Sequence, residues 1–104
     1  AISSSKRSAL LPGVPTVAEA GQGLEGFEVL GWFALMAPSK TPPDVLRFLN
    51  AELNKMITKP AIVTRFQELG AEPMGGTTEQ AAAYIAAEQD KWGKVIKEAG
   101  IKGN

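Results

Sequence analysis

The chain has 104 residues, 44% of them hydrophobic, with eleven basic and eleven acidic side chains and a formal net charge of zero, enough for one small globular domain. Zero net charge supplies no basic field for phosphate backbones or anionic lipid, so nucleic acids and membrane surfaces are disfavoured partners. With no Cys and no His, thiolate and imidazole metal sites, a cysteine nucleophile, a Ser-His-Asp triad and the usual neutral-pH proton shuttle are excluded.

The opening stretch, AISSSKRSALLPG, lacks an initiator Met and an apolar h-region. No window reaches the ~18 uninterrupted apolar residues of a membrane span. Neither a signal peptide nor a transmembrane helix is expected, and Ala1 reads as mid-protein sequence. Absence of cysteine leaves the redox compartment open.

Pro12, Gly13 and Pro15 punctuate an extended stretch and a turn. Thr16 is placed to cap a helix of about one turn. Glu19 completes a T-x-x-E capping box, and Gly21 is expected to end the helix as a left-handed residue. Residues 27–37, FEVLGWFALMA, are rich in Phe, Val, Leu and Trp and predict one strand ending before Pro38. Phe27, Val29, Phe33 and Leu35 fall on one face, Leu30, Trp32 and Met36 on the other. Two apolar faces suit a central strand of an α/β sheet. At about 36 Å it would be roughly twice the usual strand length, long enough to link two lobes.

Beyond SKTPP the signals turn helical. Thr41 as cap, Pro42 and Pro43 in the first turn and Asp44 near the N-terminus predict a helix over about 43–57, with Leu46, Leu49, Leu53 and Met56 on its apolar side. A second helix runs from about Pro60 to Leu69, with Ile62, Val63, Phe66 and Leu69 inward and Gly70 as its stop. AEPM at 71–74 is a short strand candidate. Thr77 and Gln80 form another capping box, opening the longest helix over 78–99, with Ala81, Ile85, Trp92, Ile96 and Ala99 in register and Gly100 at its end. On its wet side Asp90–Lys94 and Lys94–Glu98 are spaced for ion pairs worth a few tenths of a kcal/mol each.

Gly21, Gly23 and Gly26 match the G-x-G-x-x-G spacing of dinucleotide-binding loops. Such a loop needs a strand before the glycines and a helix after them, whose N-terminus holds the pyrophosphate. Here the order is reversed, and the motif is a glycine-rich connection. Glu88 lies on the apolar stripe between Ile85 and Trp92 without a partner acid or base, which suits a snorkelling edge carboxylate better than a catalytic one. Lys6 and Arg7 offer cations for an anionic substrate or simply a solvated pair. Trp32 and Phe33 are cleft or core aromatics.

Three blocks carry a family resemblance: LPGVPTVAEAG at 11–21, GFEVLGWFALMAPSKTPPDVLRFLNAELNK at 26–55 and ELGAEPMGGTTEQAAAYIAAEQDKWGKVIKEAGIK at 68–102. In this order and spacing they resemble the C-terminal third of the tripartite tricarboxylate transporter receptors, also called the Bug family. The most specific pieces are Pro15-Thr16-Val17 with Glu19 and Gly21, Phe27-Glu28, Trp32 before Ala37-Pro38, Thr41-Pro42, and Glu88 with Lys91-Trp92.

The resemblance implies an α/β fold, part of a type II periplasmic binding protein. Residues 1–26 would be the remnant of the second ligand-binding lobe, 27–37 the strand crossing the hinge, and 38–104 the C-terminal part of the first lobe. It further implies a periplasmic receptor, not an enzyme and without a cofactor. Such a receptor captures a small carboxylate (a di- or tricarboxylate, an acidic amino acid or an aromatic acid) and passes it to a membrane permease. Ser5, Arg7, Pro15, Thr16, Trp32 and Phe33 are the candidate cleft residues. Because the resemblance covers one third of a receptor, the chain is expected to be a fragment that self-associates, by edge pairing or by exchange of an element. The competing class is a helical protein–protein interaction module without small-ligand binding.

Overall fold

The computed structural model describes residues 1–103 and divides them into two compact units, residues 1–37 and 38–103. Four helices form in chain order: α1 (Val17–Ala20), α2 (Pro43–Ile57), α3 (Pro60–Glu68) and α4 (Thr78–Glu98).

In the first unit, Ile2 and Ser3 form the spine. Ile2 N–H donates to the Pro15 carbonyl (2.9 Å) and its own carbonyl accepts from Val17 N–H (2.8 Å), a parallel bridge between Ile2 and Thr16. On the other side the Ser3 carbonyl accepts from Val29 N–H at 2.8 Å. The capping box at α1 forms as expected: Glu19 N–H donates to Thr16 Oγ1 and Thr16 N–H to the Glu19 carboxylate. Gly21 does not take the expected left-handed conformation; its φ is −134°. The positive φ angles fall at Gly23 and Gly26, both 77°, where a side chain would be strained. The glycines are therefore spent on turning the chain.

The strand expected over 27–37 does not form. A strand exists only through its ladder, and Phe33 to Ala37 take part in no backbone hydrogen bond among the described residues. Phe33 is fully exposed and Leu35 is 78% exposed. The candidate strand at 71–74 is likewise absent. The β component of this chain is thus reduced to the Ile2–Thr16 bridge among the described residues.

In the second unit α2 packs against both α3 and α4. Pro43 occupies the first turn of α2, where its missing N–H costs nothing. Pro42, not Thr41, is the cap residue, and it offers no side-chain bond. Gly70 (φ 70°) and Gly100 (φ 64°) follow α3 and α4 as left-handed stops. Thr77 and Gln80 close the second capping box. The expected wet-side pairs of α4 give way, among the described residues, to Lys91–Glu88 at 3.3 Å.

Two asparagines join α2 to the start of α4. Asn54 Nδ2 donates to the Gly76 carbonyl (2.9 Å) while its Oδ1 accepts from Gly76 N–H (2.8 Å), so one side-chain amide pairs with both polar groups of one residue. Asn50 Nδ2 adds a second donor to the same carbonyl at 3.1 Å. The turn approaches so closely that a Cβ on Gly75 would lie 2.6 Å from Asn54 Oδ1.

Among the described residues no hydrophobic side chain is fully buried, and Thr16, 2% exposed, is the buried polar residue. Leu46, Leu53, Ile57, Ile62, Val63 and Phe66 are half-buried. Leu49, Met56, Leu69 and Ile96, all expected inward, are exposed. Helical spacing puts them on apolar faces, but the packing of α2 with α3 and α4 leaves them open to solvent.

Candidate ligand-binding site

The residues singled out for ligand binding lie in the first unit, most of them around the entry to α1. Thr16 is held by the Ile2–Thr16 bridge and by its cap bond. Pro15 contributes its carbonyl to Ile2 N–H. Glu19 links two segments. Its Oε2 accepts from Thr16 N–H at 2.8 Å and from Arg7 Nε at 2.9 Å, and its Oε1 accepts from Arg7 Nε at 3.2 Å. Arg7 Nη1 also reaches the Pro12 carbonyl at 3.4 Å.

This chain of bonds shapes the electrostatics. The Thr16 backbone N–H, followed by the Arg7 guanidinium, holds the Glu19 carboxyl below its ordinary range. In return Glu19 neutralises Arg7. The guanidinium is therefore a shared group, half-exposed, with one edge committed to a carboxylate of its own chain. The first turn of α1 has little left for an anion: Val17 N–H serves Ile2 and Glu19 N–H serves Thr16.

Ser5 lies in the Ser3–Ser5 loop. Its N–H donates to Glu28 Oε1 at 3.4 Å, and Ser4 Oγ donates to the Lys6 carbonyl at 2.7 Å. Trp32 and Phe33 lie downstream in the 27–37 segment; Trp32 is 36% exposed and Phe33 fully so. The structure therefore joins Arg7, Pro15 and Thr16 through hydrogen bonds, while Ser5 bonds to Glu28 instead.

Glu88 on α4 is a well-served carboxylate. Its side chain is 13% exposed and accepts from Trp92 Nε1 (2.9 Å) and Lys91 Nζ (3.3 Å). Lys91 Nζ also stands 5.4 Å from the Trp92 ring centroid, within cation–π range. Sequence reasoning missed the Arg7–Glu19 pair and the Asn50–Asn54 clamp. The signal for the clamp was two asparagines four apart on an inward helix face, polar groups in need of a partner.

Among the described residues no acidic cluster is arranged to hold a metal ion, and no helix is long and apolar enough to cross a membrane.

Residues 1–101 match the tripartite tricarboxylate transporter family receptor. The chain belongs to this family. A UPF0065 protein from the tcbD-tcbE intergenic region of Pseudomonas sp. strain P51 is 43% identical over 99% of the chain and 30% of its own length. Protein BugT of Bordetella pertussis is 40% identical over 98% of the chain and 31% of its own length. Among solved structures, R. palustris Rpa4515 with adipate superposes with a TM-score of 0.79 at 35% identity, covering 94% of this chain and 32% of that one.

The chain thus spans about 30% of the length of these two relatives. It carries part of a type II periplasmic binding-protein fold. Members of the tripartite tricarboxylate transporter receptor family are solute-binding receptors of the periplasm, a non-enzymatic class.

Proposed function

We propose that this chain is the C-terminal third of a periplasmic receptor that captures a small carboxylate and delivers it to the permease of a tripartite transporter. The observation that carries this reading is the likeness, at 35% identity and a TM-score of 0.79, to a receptor solved with adipate, a dicarboxylate. The receptor binds and releases, with no chemical step. Residues 1–26 belong to the second lobe, 27–37 to the hinge crossing and 38–104 to the first lobe.

Within this reading Ser5 and Arg7 supply donors to a ligand carboxylate. Because Glu19 already offsets the Arg7 charge, hydroxyls, backbone N–H groups and ordered water carry much of the recognition. Trp32 and Phe33 give an apolar wall for the carbon skeleton of the acid. Pro15 and Thr16 set the turn that aims the loop.

The test is thermal stabilisation of the chain joined to the two thirds of R. palustris Rpa4515 that its match leaves out, against a panel of mono-, di- and tricarboxylates and acidic amino acids. One acid at about 100 times its Kd should stabilise the protein by about 2.7 kcal/mol, and Ser5→Ala or Arg7→Ala should weaken that shift. A flat response to the whole panel overturns the reading. Exposed Phe48 and Leu69 favour a second reading, a helical module that docks a protein or a second copy of itself. Its sign would be a stable isolated chain that no acid affects.

A further inference from the structure

Two capping boxes in this chain share one geometry and differ in chemistry. At α4 the box is closed by a neutral side chain, Gln80 Oε1 accepting from Thr77 N–H at 2.9 Å. At α1 it is closed by a carboxylate, Glu19 Oε2 accepting from Thr16 N–H at 2.8 Å. Gln serves such a box as Glu does, so the cap does not require the charge at position 19. The second contact of Glu19 does use it: both carboxylate oxygens accept from Arg7 Nε, at 2.9 and 3.2 Å.

That contact leaves Arg7 half-used. Nε faces Glu19, Nη1 reaches the Pro12 carbonyl at 3.4 Å, and Nη2 makes no hydrogen bond among the described residues. The side chain is 50% exposed, and the Nη end of a guanidinium held in this way has donors for one further carboxylate. Its charge is already offset. Residues 1–37 carry two cationic side chains, Lys6 and Arg7, against Glu19, Glu25 and Glu28. Ser5 N–H, too, faces a carboxylate of its own chain, Glu28 Oε1 at 3.4 Å. A polyanion meets no positive field here, and any carboxylate beyond the one on the Nη end meets Glu19 as a like charge.

We infer that Glu19 determines the specificity of the carboxylate site: it holds Arg7 by Nε and cancels its charge, so that the site grips one carboxylate and rejects acids whose carboxylates lie close together. Glu19 is thus a positioning residue. The inference rests on the receptor reading above, with Arg7 as a ligand donor.

The experiment uses the chain joined to the unmatched two thirds of R. palustris Rpa4515 and three acids built on one three-carbon chain, butyrate, glutarate and propane-1,2,3-tricarboxylate. They differ in charge on a common skeleton. By calorimetric titration at low salt, Glu19→Gln should raise the affinity for the tricarboxylate relative to butyrate roughly 10-fold or more, the order expected when one like charge is removed at close range. Physiological salt should erase much of that gain, because exposed charges are screened over about 8 Å. Arg7→Gln should move the ratio the opposite way, and the double variant should restore it while binding all three acids more weakly. A purely structural role predicts neither the reversal nor the restoration. An equal change for all three acids, complete loss included, overturns the inference, as does a ratio that Arg7→Gln leaves in place. The receptor reading fails separately. An unsubstituted protein that binds acids with a ratio unmoved by Glu19→Gln keeps that reading and sinks this inference. An unsubstituted protein flat to the whole panel, whose Glu19→Gln variant takes the tricarboxylate, does the reverse.

Discussion

Glu19 shows how one exposed carboxylate organises the first unit. It closes the Thr16 cap and holds Arg7, and both contacts favour its ionised form. A folded pKa below the ordinary 4.5 means that this contribution is complete above pH 4.5 and drains away as pH falls through the lower folded value. Glu79 at the start of α4 behaves alike, its carboxyl lowered by its own N–H and by the Thr77 and Thr78 side chains. Glu19→Gln should therefore lower stability at neutral pH, where the contribution is complete, and flatten the acid limb of a pH titration of far-UV circular dichroism, the two proteins converging at low pH. An unchanged acid limb contradicts this role. Asn54 makes the complementary case, a buried-side amide with no charge. Asn54→Ala strips four hydrogen bonds shared with Gly76 and Asn50 and should cost about 1–3 kcal/mol in urea unfolding of the joined protein. Gly75→Ala should also destabilise, because its Cβ would press on Asn54 and Ile57. The capping role of Glu19 was legible because Thr16 and Glu19 are three apart; its grip on Arg7, twelve residues back, was not.

At the scale of elements, local signals and long-range signals part company. The helices follow from Pro43, Pro60, the Thr77–Gln80 box and the glycines after α3 and α4, all information within a turn of the boundary. Thr77→Ala should cost about 1 kcal/mol of stability, read as fraying of α4 by amide exchange at residues 78–80. The strand expected over 27–37 depends on partners that sequence composition cannot place. The residues have β character, yet among the described residues their backbone bonds are the local turn from Phe27 to Leu24 and one bond from Val29 to Ser3. The same limit hid the second apolar side of α2. Leu49 and Met56 fit the helical period, but periodicity does not say which side of a helix its neighbours cover.

At the scale of the whole molecule, the proposed reading gives the candidate site and the uncovered apolar surface one explanation, that both are parts of a longer receptor. The first unit carries a polar loop network around Arg7, Glu19 and Thr16, and the second unit carries a helix with one side still open. Family membership was legible because several short blocks occur in register over nearly the whole chain. Ligand identity was not, since Arg7 is already paired with Glu19, a contact between residues twelve apart that the sequence does not reveal. The most direct test of the account is calorimetry of the isolated chain. An autonomous domain of this length would unfold in one sharp transition absorbing about 70 kcal/mol. The account predicts a broad transition with far less heat from the chain alone, and a full cooperative transition only when it is joined to the remainder of a receptor. A sharp, full-size transition from an isolated monomer would contradict it.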